Sequence, residues 1–493
     1  MNNYRKSIPG ILGPVAFLLI SLFFHPEGLS NQANAVLACT VWMAIWWIFE
    51  VTNIAVTALL PIVIFPLTGA LALKTTTAAY GHKYVFLYMG GFILAMAIEK
   101  WNLHRRIALN IINILGTSIP SIILGFMAAT AFMSMWISNT ATSVMMLPIG
   151  LAIVTQLQHH PAVGQEDKRT FGKALMLSIA YSASIGGMAT LIGTPPNLVL
   201  AGIVQETYGV EISFSQWFVF GLPISLVLLI ICWLYLTKVA FSFGMNQFPG
   251  GITEVKRLLK QLGPVSTEEK IVGAVFLLAA VLWITRSQLQ AFIPQLDDTI
   301  IAIAAGMALF LLPSQQADKQ RIINWSEAVK MPWGIIILFG GGMALAAGFQ
   351  ESMLANWIGG QFTSLNALPL FILLLVLITA VNFLTEITSN LATTAMLLPI
   401  LAPMALSLNT HPYLLLVAAT VAASCAFMLP VATPPNAVVF GSGQLAIRDM
   451  VRTGIWMNIF SILFLTLVVY FVLGLLWGFD PTLFPEEFKL RAE

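Results

Sequence analysis

The chain alternates between long apolar runs and short polar joints. A helix that crosses a bilayer needs roughly 20 apolar residues. On that measure the pattern predicts spans near 10–25, 33–49, 52–73, 84–98, 174–200, 214–237, 269–285, 298–313, 332–349, 412–440 and 454–478, about eleven in all. Two further apolar regions, 119–157 and 366–407, each carry a small neutral polar cluster near the middle. The clusters are "WISNTATSVMMLPI", Trp136 to Ile149, and "EITSNLATTAMLLPI", Glu386 to Ile400. Two arms of about 16 residues, at 1.5 Å per residue, reach roughly 24 Å each, short of the ~30 Å hydrocarbon core. The pattern therefore predicts two re-entrant helical hairpins beside the spans.

Composition narrows the class. Of 493 residues, 58% are hydrophobic and 9% charged, against about 25% charged in soluble domains. So little charge cannot cover a soluble surface, and the chain reads as an all-α polytopic membrane protein with the lipid bilayer as its solvent. The formal net charge of +2 and the absence of a basic arm leave no case for a nucleic-acid partner. Cys39, Cys232 and Cys425 are far apart in apolar segments and form neither a disulfide framework nor a metal cluster. Arg5 and Lys6, the run Ile11 to Phe24 and Ala33–Ala35 imitate a cleavable signal peptide. A retained first span is the expectation, because it orients the remainder correctly. With the N-terminus cytoplasmic and both hairpins returning to their own side, 18 of the 23 Lys and Arg fall inside. The C-terminus is then extracytoplasmic, in a multi-pass protein of the cell (inner) membrane.

The chain repeats itself. "MGGFILAMAIEKWNL" from Met89 aligns with "GGGMALAAGFQESML" from Gly340 at an offset of 251, as does Ser138 with Ser389. "GTPPN", Gly193 to Asn197, recurs as "ATPPN", Ala432 to Asn436, at an offset of 239. An odd number of crossings between equivalent points inverts the second copy, and inverted repeats with interrupted helices mark transporters. The organisation expected is a first span in 1–32, a first repeat in 33–238, a cytoplasmic linker in 239–268, a second repeat in 269–479 and a tail in 480–493.

The polar points carry the chemistry. Pro195 and Pro196 donate no amide hydrogen, which should free the carbonyls of Leu191 and Ile192; Pro434 and Pro435 should free those of Pro430 and Val431. Thr194 and Thr433 then serve as N-caps of second half-helices. Unwound carbonyls suit a hard cation, and half-helix amide ends face an anion. A single Pro-Pro would merely kink a helix; two copies with the same flanking Thr and Asn make a cavity the better reading. The hairpin tips supply Ser138, Asn139, Thr140 and Thr142, then Thr385, Thr388, Ser389, Asn390, Thr393 and Thr394. Thr142, Thr393 and Thr394 fit ordinary helix-to-helix hydrogen bonding. Hardly any Lys, Arg or His lies within the spans, so an anion must be neutralised by helix dipoles and co-bound cations. Glu386 is the most deeply placed acid, either functional or a helix-end carboxylate bonded inside its hairpin. "HH" at 159–160 reads as loop rather than metal site.

These residues resemble the divalent anion/sodium symporter family, the INDY-type transporters of dicarboxylates and citrate. "SNT" (138–140), "SNL" (389–391) and the two "TPPN" motifs (194–197, 433–436) stand in that family's order. The resemblance implies a homodimer with a scaffold domain and an elevator-like transport domain. It implies one sodium site at Ser134, Ser138 and Asn139 with backbone near Gly193, and a second at Thr385, Thr388 and Asn390 with backbone near Ala432. It places a di- or tricarboxylate anion against Asn139, Thr140, Asn390, Thr194, Pro195, Thr433 and Pro434. Leu391 departs from the pattern by lacking a hydroxyl donor. "EKWNLHRRIALNIINILG" and "ESMLANWIGGQF" resemble the family's interfacial arm helices, or equally amphipathic loop helices. The function expected is sodium-coupled symport of a C4-dicarboxylate such as succinate, malate or fumarate, with Na+ as the co-transported ion. A sodium-independent exchanger of the same fold is the alternative. No paired aspartates, His-rich motif or Ser/His pair supports an enzyme, and nothing resembles a channel filter.

Overall fold

Prolines, glycines and one buried carboxylate decide where the apolar runs stay helical. The computed structural model describes residues 3–115, 118–158, 163–244, 251–315, 321–361 and 368–489; His159–His160 lie outside these. Among the described residues the secondary structure is helical, and six helices are long and apolar enough to cross a bilayer. Several predicted spans are instead assembled from shorter pieces. The 52–73 run divides into Ile54–Thr57 and Leu60–Thr68, the second starting beside Pro61, since proline suits a first helical turn and not an interior. The 454–478 run belongs to a helix that begins earlier, Ile447–Phe471, followed by Leu473–Trp477. The 239–268 linker contains an amphipathic helix, Gly251–Gln261.

Both regions fold as helix pairs, Ile119–Ser134 with Asn139–Gln158 and Leu370–Leu384 with Asn390–Ser407, and the second helix of each pair is among the six long and apolar enough to cross a bilayer. The second arms are longer than expected. Asn139–Gln158, 20 residues, reaches roughly 30 Å, because helix continues past the apolar stretch into Gln156–Gln158.

The 174–200 and 412–440 spans are each interrupted, and earlier than the prolines alone require. The first runs Gln165–Gly187 and resumes at Pro195–Tyr208; the second runs Pro412–Ala423 and resumes at Pro434–Phe440. The freed acceptors therefore belong to whole unwound segments, 188–194 and 424–433, rather than to two carbonyls upstream of each Pro-Pro pair. Gly186 and Gly187 weaken the first helix end. In the second, the amides of Phe427, Met428 and Leu429 are taken by Glu386 and are lost to the helix.

The hairpins and broken helices interlock. Gln165–Gly187 packs on both arms of the first hairpin, and Pro412–Ala423 on both arms of the second. The resumed halves cross over: Pro195–Tyr208 packs on Asn390–Ser407, and Pro434–Phe440 on Asn139–Gln158. A second set of helices packs together, with Lys83–Lys100 against Asp298–Leu311 and Trp333–Glu351 against Asn31–Ile48 and Leu60–Thr68, and Trp333–Glu351 also packs on Pro195–Tyr208 and Asn390–Ser407 of the first set. The repeat is visible in its close approaches. A methyl on Gly90 would lie 2.6 Å from the Ala302 backbone, and one on Gly341 2.6 Å from the Ala58 oxygen. Left-handed residues at Asn102 (φ 55°) and Met353 (φ 62°), again 251 apart, turn the chain into the helices Leu103–Leu115 and Leu354–Gln361. Buried Arg286 binds Glu211 (2.6 Å) and Asp298 (2.9 Å), while Lys83 binds Glu211 (3.3 Å) and Asp297 (3.1 Å). These charges fasten the connection after Tyr208 to the second set of helices.

Candidate functional site

The first hairpin ends its first arm at Ser134 and begins its second at Asn139. That tight return brings the two side chains together: Ser134 Oγ lies 2.7 Å from Asn139 Oδ1 and 2.6 Å from the Ala183 carbonyl. One hydroxyl proton cannot satisfy two acceptors, so the cluster holds surplus lone pairs. Gly193 adds to it. A methyl there would sit 2.5 Å from the Gly187 carbonyl oxygen, 3.0 Å from that of Met135 and 3.1 Å from that of Ser134. A methyl on Gly187 would collide with Asn139 Oδ1. Backbone and side-chain oxygens thus converge on a cradle that only glycine leaves open, the donor set a hard cation takes.

The second hairpin repeats the pattern. Thr385 Oγ1 donates toward Asn390 Oδ1 (2.7 Å) and the Ala423 carbonyl (3.0 Å). Ala432 stands where Gly193 stands in the first copy, so that cradle carries a methyl. Thr388 is not brought to the Asn390 oxygen: its hydroxyl bonds Leu384 O (2.9 Å) and Thr393 Oγ1 (2.6 Å) within its own hairpin. Ser138 Oγ accepts from the Ala141 amide (3.3 Å) and caps the second arm. Thr394 bonds the Asn390 carbonyl (2.8 Å), an internal helix contact.

Of the two threonines expected to cap, Thr433 does so, accepting from the Asn436 amide at 3.3 Å. Thr194 occupies the cap position in extended backbone without a side-chain bond. Sequence reasoning gave no separate role to Asn197 and Asn436, which hold the breaks in shape. Asn197 Nδ2 donates to Thr190 O (2.8 Å) and reaches Gly187 O and Met188 O (3.4 Å each). Asn436 Nδ2 donates to Leu429 O (2.9 Å) and Ala426 O (3.3 Å). The recurrence of Asn in both "TPPN" copies was the available signal. Glu386 is hydrogen-bonded, but to the neighbouring break rather than inside its hairpin. It accepts from the amides of Phe427 (2.8 Å), Met428 (2.9 Å) and Leu429 (3.0 Å) and from Asn458 Nδ2 (2.7 Å). It ties the second tip to the second unwound segment.

The two breaks meet. Met188 Sδ lies 3.8 Å from Cys425 Sγ, and Tyr181 packs edge-on against Phe427 at 5.0 Å. A cavity of about 1000 Å³ runs from Ser138 and Thr140 at the first tip to Lys100, Arg105, Glu327 and Lys330 at helix ends. Of the residues expected to meet the anion, Thr140 lines it, and Asn139, Asn390, Thr194, Pro195, Thr433 and Pro434 do not. Its repeat mate is nearly closed, at about 30 Å³. There Ala346, Gln350, Asn356 and Pro399 stand where the open cavity has Ala95, Glu99, Arg105 and Pro148, and Phe484 adds to the lining. Oxygen clusters without a basic side chain, beside one open and one closed cavity, can capture small cations and present them to an anion.

Known proteins with this architecture include the YdaH transporter of Alcanivorax borkumensis, which matches with a TM-score of 0.57 at 14% identity over 97% of this chain and 98% of that one. MtrF of Neisseria gonorrhoeae matches with a TM-score of 0.59 at 14% identity over 94% of each. Identity that low extends to the fold alone. The sodium-dependent dicarboxylate transporter SdcS of Staphylococcus saprophyticus subsp. saprophyticus is 48% identical over 486 residues, 97% of this chain and 94% of its own. SdcS of Staphylococcus aureus strain USA300 is 48% identical over 476 residues, 95% and 92% respectively. Residues 6–479 match the transmembrane region of the sodium:sulfate symporters, and the chain belongs to that family.

Proposed function

We propose that the protein is a sodium-coupled symporter that carries C4-dicarboxylates such as succinate, malate and fumarate into the cell. The observation that carries this reading is the pair of matching oxygen clusters, Ser134–Asn139–Ala183 and Thr385–Asn390–Ala423. With no basic side chain at either tip, a dianion is attracted there only after cations occupy the clusters. Cation binding therefore precedes anion binding. The relatives named sodium-dependent dicarboxylate transporters support sodium as the coupling ion and a dicarboxylate as cargo.

In this reading Ser134, Ser138, Asn139 and Gly193 hold one sodium, and Thr385, Asn390 and Ala432 the other, while Thr388, bonded to Leu384 and Thr393, stands outside it. The anion meets Asn139, Thr140, Asn390, Thr194, Pro195, Thr433 and Pro434. Leu391, buried beside the second tip, shifts anion preference rather than sodium coupling. The interlocked hairpins and broken helices move as a transport unit past the second set of helices, an elevator step in each half of a homodimer. The open cavity and its closed repeat mate support a one-sided state of that cycle. The excess of Lys and Arg in alternate loops supports a cytoplasmic N-terminus and an extracytoplasmic C-terminus.

Uptake of labelled succinate by proteoliposomes tests the proposal. Accumulation driven by an inward sodium gradient with no internal substrate is expected. Uptake that requires internal dicarboxylate and ignores sodium would replace symport with exchange.

A further inference from the structure

The open cavity and its repeat mate differ in charge as well as volume. Three basic residues, Lys100, Arg105 and Lys330, line the open one. Their surroundings decide which remain available. Lys100 pairs with Glu327 at 2.9 Å. The side chains of Arg105, half-buried, and Lys330, exposed, have no ion pair or hydrogen bond among the described residues. Exposed Glu99 offsets one of the two at the rim. Burial lowers His104 and keeps it neutral at pH 7, with its Nδ1 2.9 Å from Ile98 O.

Arg105 is aimed by the fold. Left-handed Asn102 turns the chain out of the Lys83–Lys100 helix, and Trp101 Nε1 pins the turn to Ile322 O at 2.9 Å. Between the cations and the first tip the walls are apolar, with Phe92, Met96, Val144, Ile149 and Ile335. Low-dielectric walls concentrate the field of a charged mouth along the cavity. The residues matching Lys100 and Arg105 are Glu351, which does not line the repeat mate, and Asn356, which does, so the second face lacks this field.

We propose that Arg105 and Lys330 form a capture site for the dicarboxylate dianion at the mouth of the open cavity, serving transport from that face alone. The site lies apart from the tip clusters, and it collects the anion before, or after, its passage to them. This rests on the proposed dicarboxylate transport.

The test uses the full chain in right-side-out and inverted membrane vesicles, with labelled succinate as probe, fixed sodium and choline chloride to vary ionic strength. Arg105→Gln with Lys330→Gln is expected to raise KM about three- to tenfold on the face that exposes the cavity, a modest share of the steering range. KM on the opposite face stays unchanged. The difference collapses as the screening length falls from about 30 Å at 0.01 M to about 3 Å at 1 M salt. Arg105→Lys with Lys330→Arg keeps the wild-type KM. An equal shift on both faces, no shift, or a charge-conserving variant that behaves like the Gln variant overturns the proposal. If the Gln variant fails to reach the membrane, the unaltered protein decides: its KM must rise with salt more steeply on the cavity face. Absence of any succinate transport by the unaltered protein would instead remove the symport reading.

Discussion

Replacing Gly193 with alanine tests the first oxygen cradle directly. The added methyl would lie 2.5 Å from the Gly187 oxygen, whereas ordinary contact begins near 3.4 Å, so backbone must retreat by about 0.9 Å. The Met135 and Ser134 oxygens, at 3.0 Å and 3.1 Å, close the other directions of relief. Metal sites tolerate ligand displacements of only about 0.2 Å. Overpacking of this kind destabilises the fold by about 1–3 kcal/mol, and the share relieved by moving the ligand oxygens is lost from sodium binding, up to about 150-fold at 1.4 kcal/mol per tenfold. The assay is the sodium concentration for half-maximal succinate uptake in proteoliposomes, with the rise of Tm on adding sodium as a transport-free measure. In wild type, sodium at 100 times its Kd stabilises the fold by about 2.7 kcal/mol; in Gly193→Ala that gain shrinks. The matching Ala432→Gly should change sodium activation far less, because that position already accommodates a methyl. Sodium activation of Gly193→Ala within twofold of wild type would refute the cradle.

Two further outcomes follow from the same structure. Glu386→Gln keeps the acceptor for Phe427, Met428 and Asn458 but turns an NH2 toward the Leu429 amide. Charged hydrogen bonds contribute about 1.5–3 kcal/mol each, so Tm in detergent and succinate uptake should both drop; a variant that matches wild type in both would remove the tether. His411, buried against Phe479 at 4.0 Å, is lowered by burial from 6.5 to about 4. The unfolded chain takes up that proton below about pH 6.5 and the folded one only near 4. Its contribution is complete above 6.5 and is lost as pH falls toward 4. His411→Phe should flatten that part of the stability profile; an unchanged slope between pH 6.5 and 4 would assign it to other groups.

Sequence periodicity and motif spacing determined much of this protein. The apolar runs give helices, the doubled Ser-Asn and Thr-Pro-Pro-Asn motifs give two hairpins and two breaks, and the offset of 251 pairs the halves. These features are local: each depends on residues within a few turns of one another, where backbone chemistry alone decides. The tertiary structure decided what depends on contacts between distant segments. It extended the second break to 424–433, because Glu386 takes amides 41 to 43 residues away. It set the Ser134 and Thr385 hydroxyls on the carbonyls of Ala183 and Ala423, 49 and 38 residues away. It opened one cavity and closed its mate. Two halves with matching motifs have no local reason to differ in that way; the difference arises from how the whole set of helices packs at once, which no window of sequence contains.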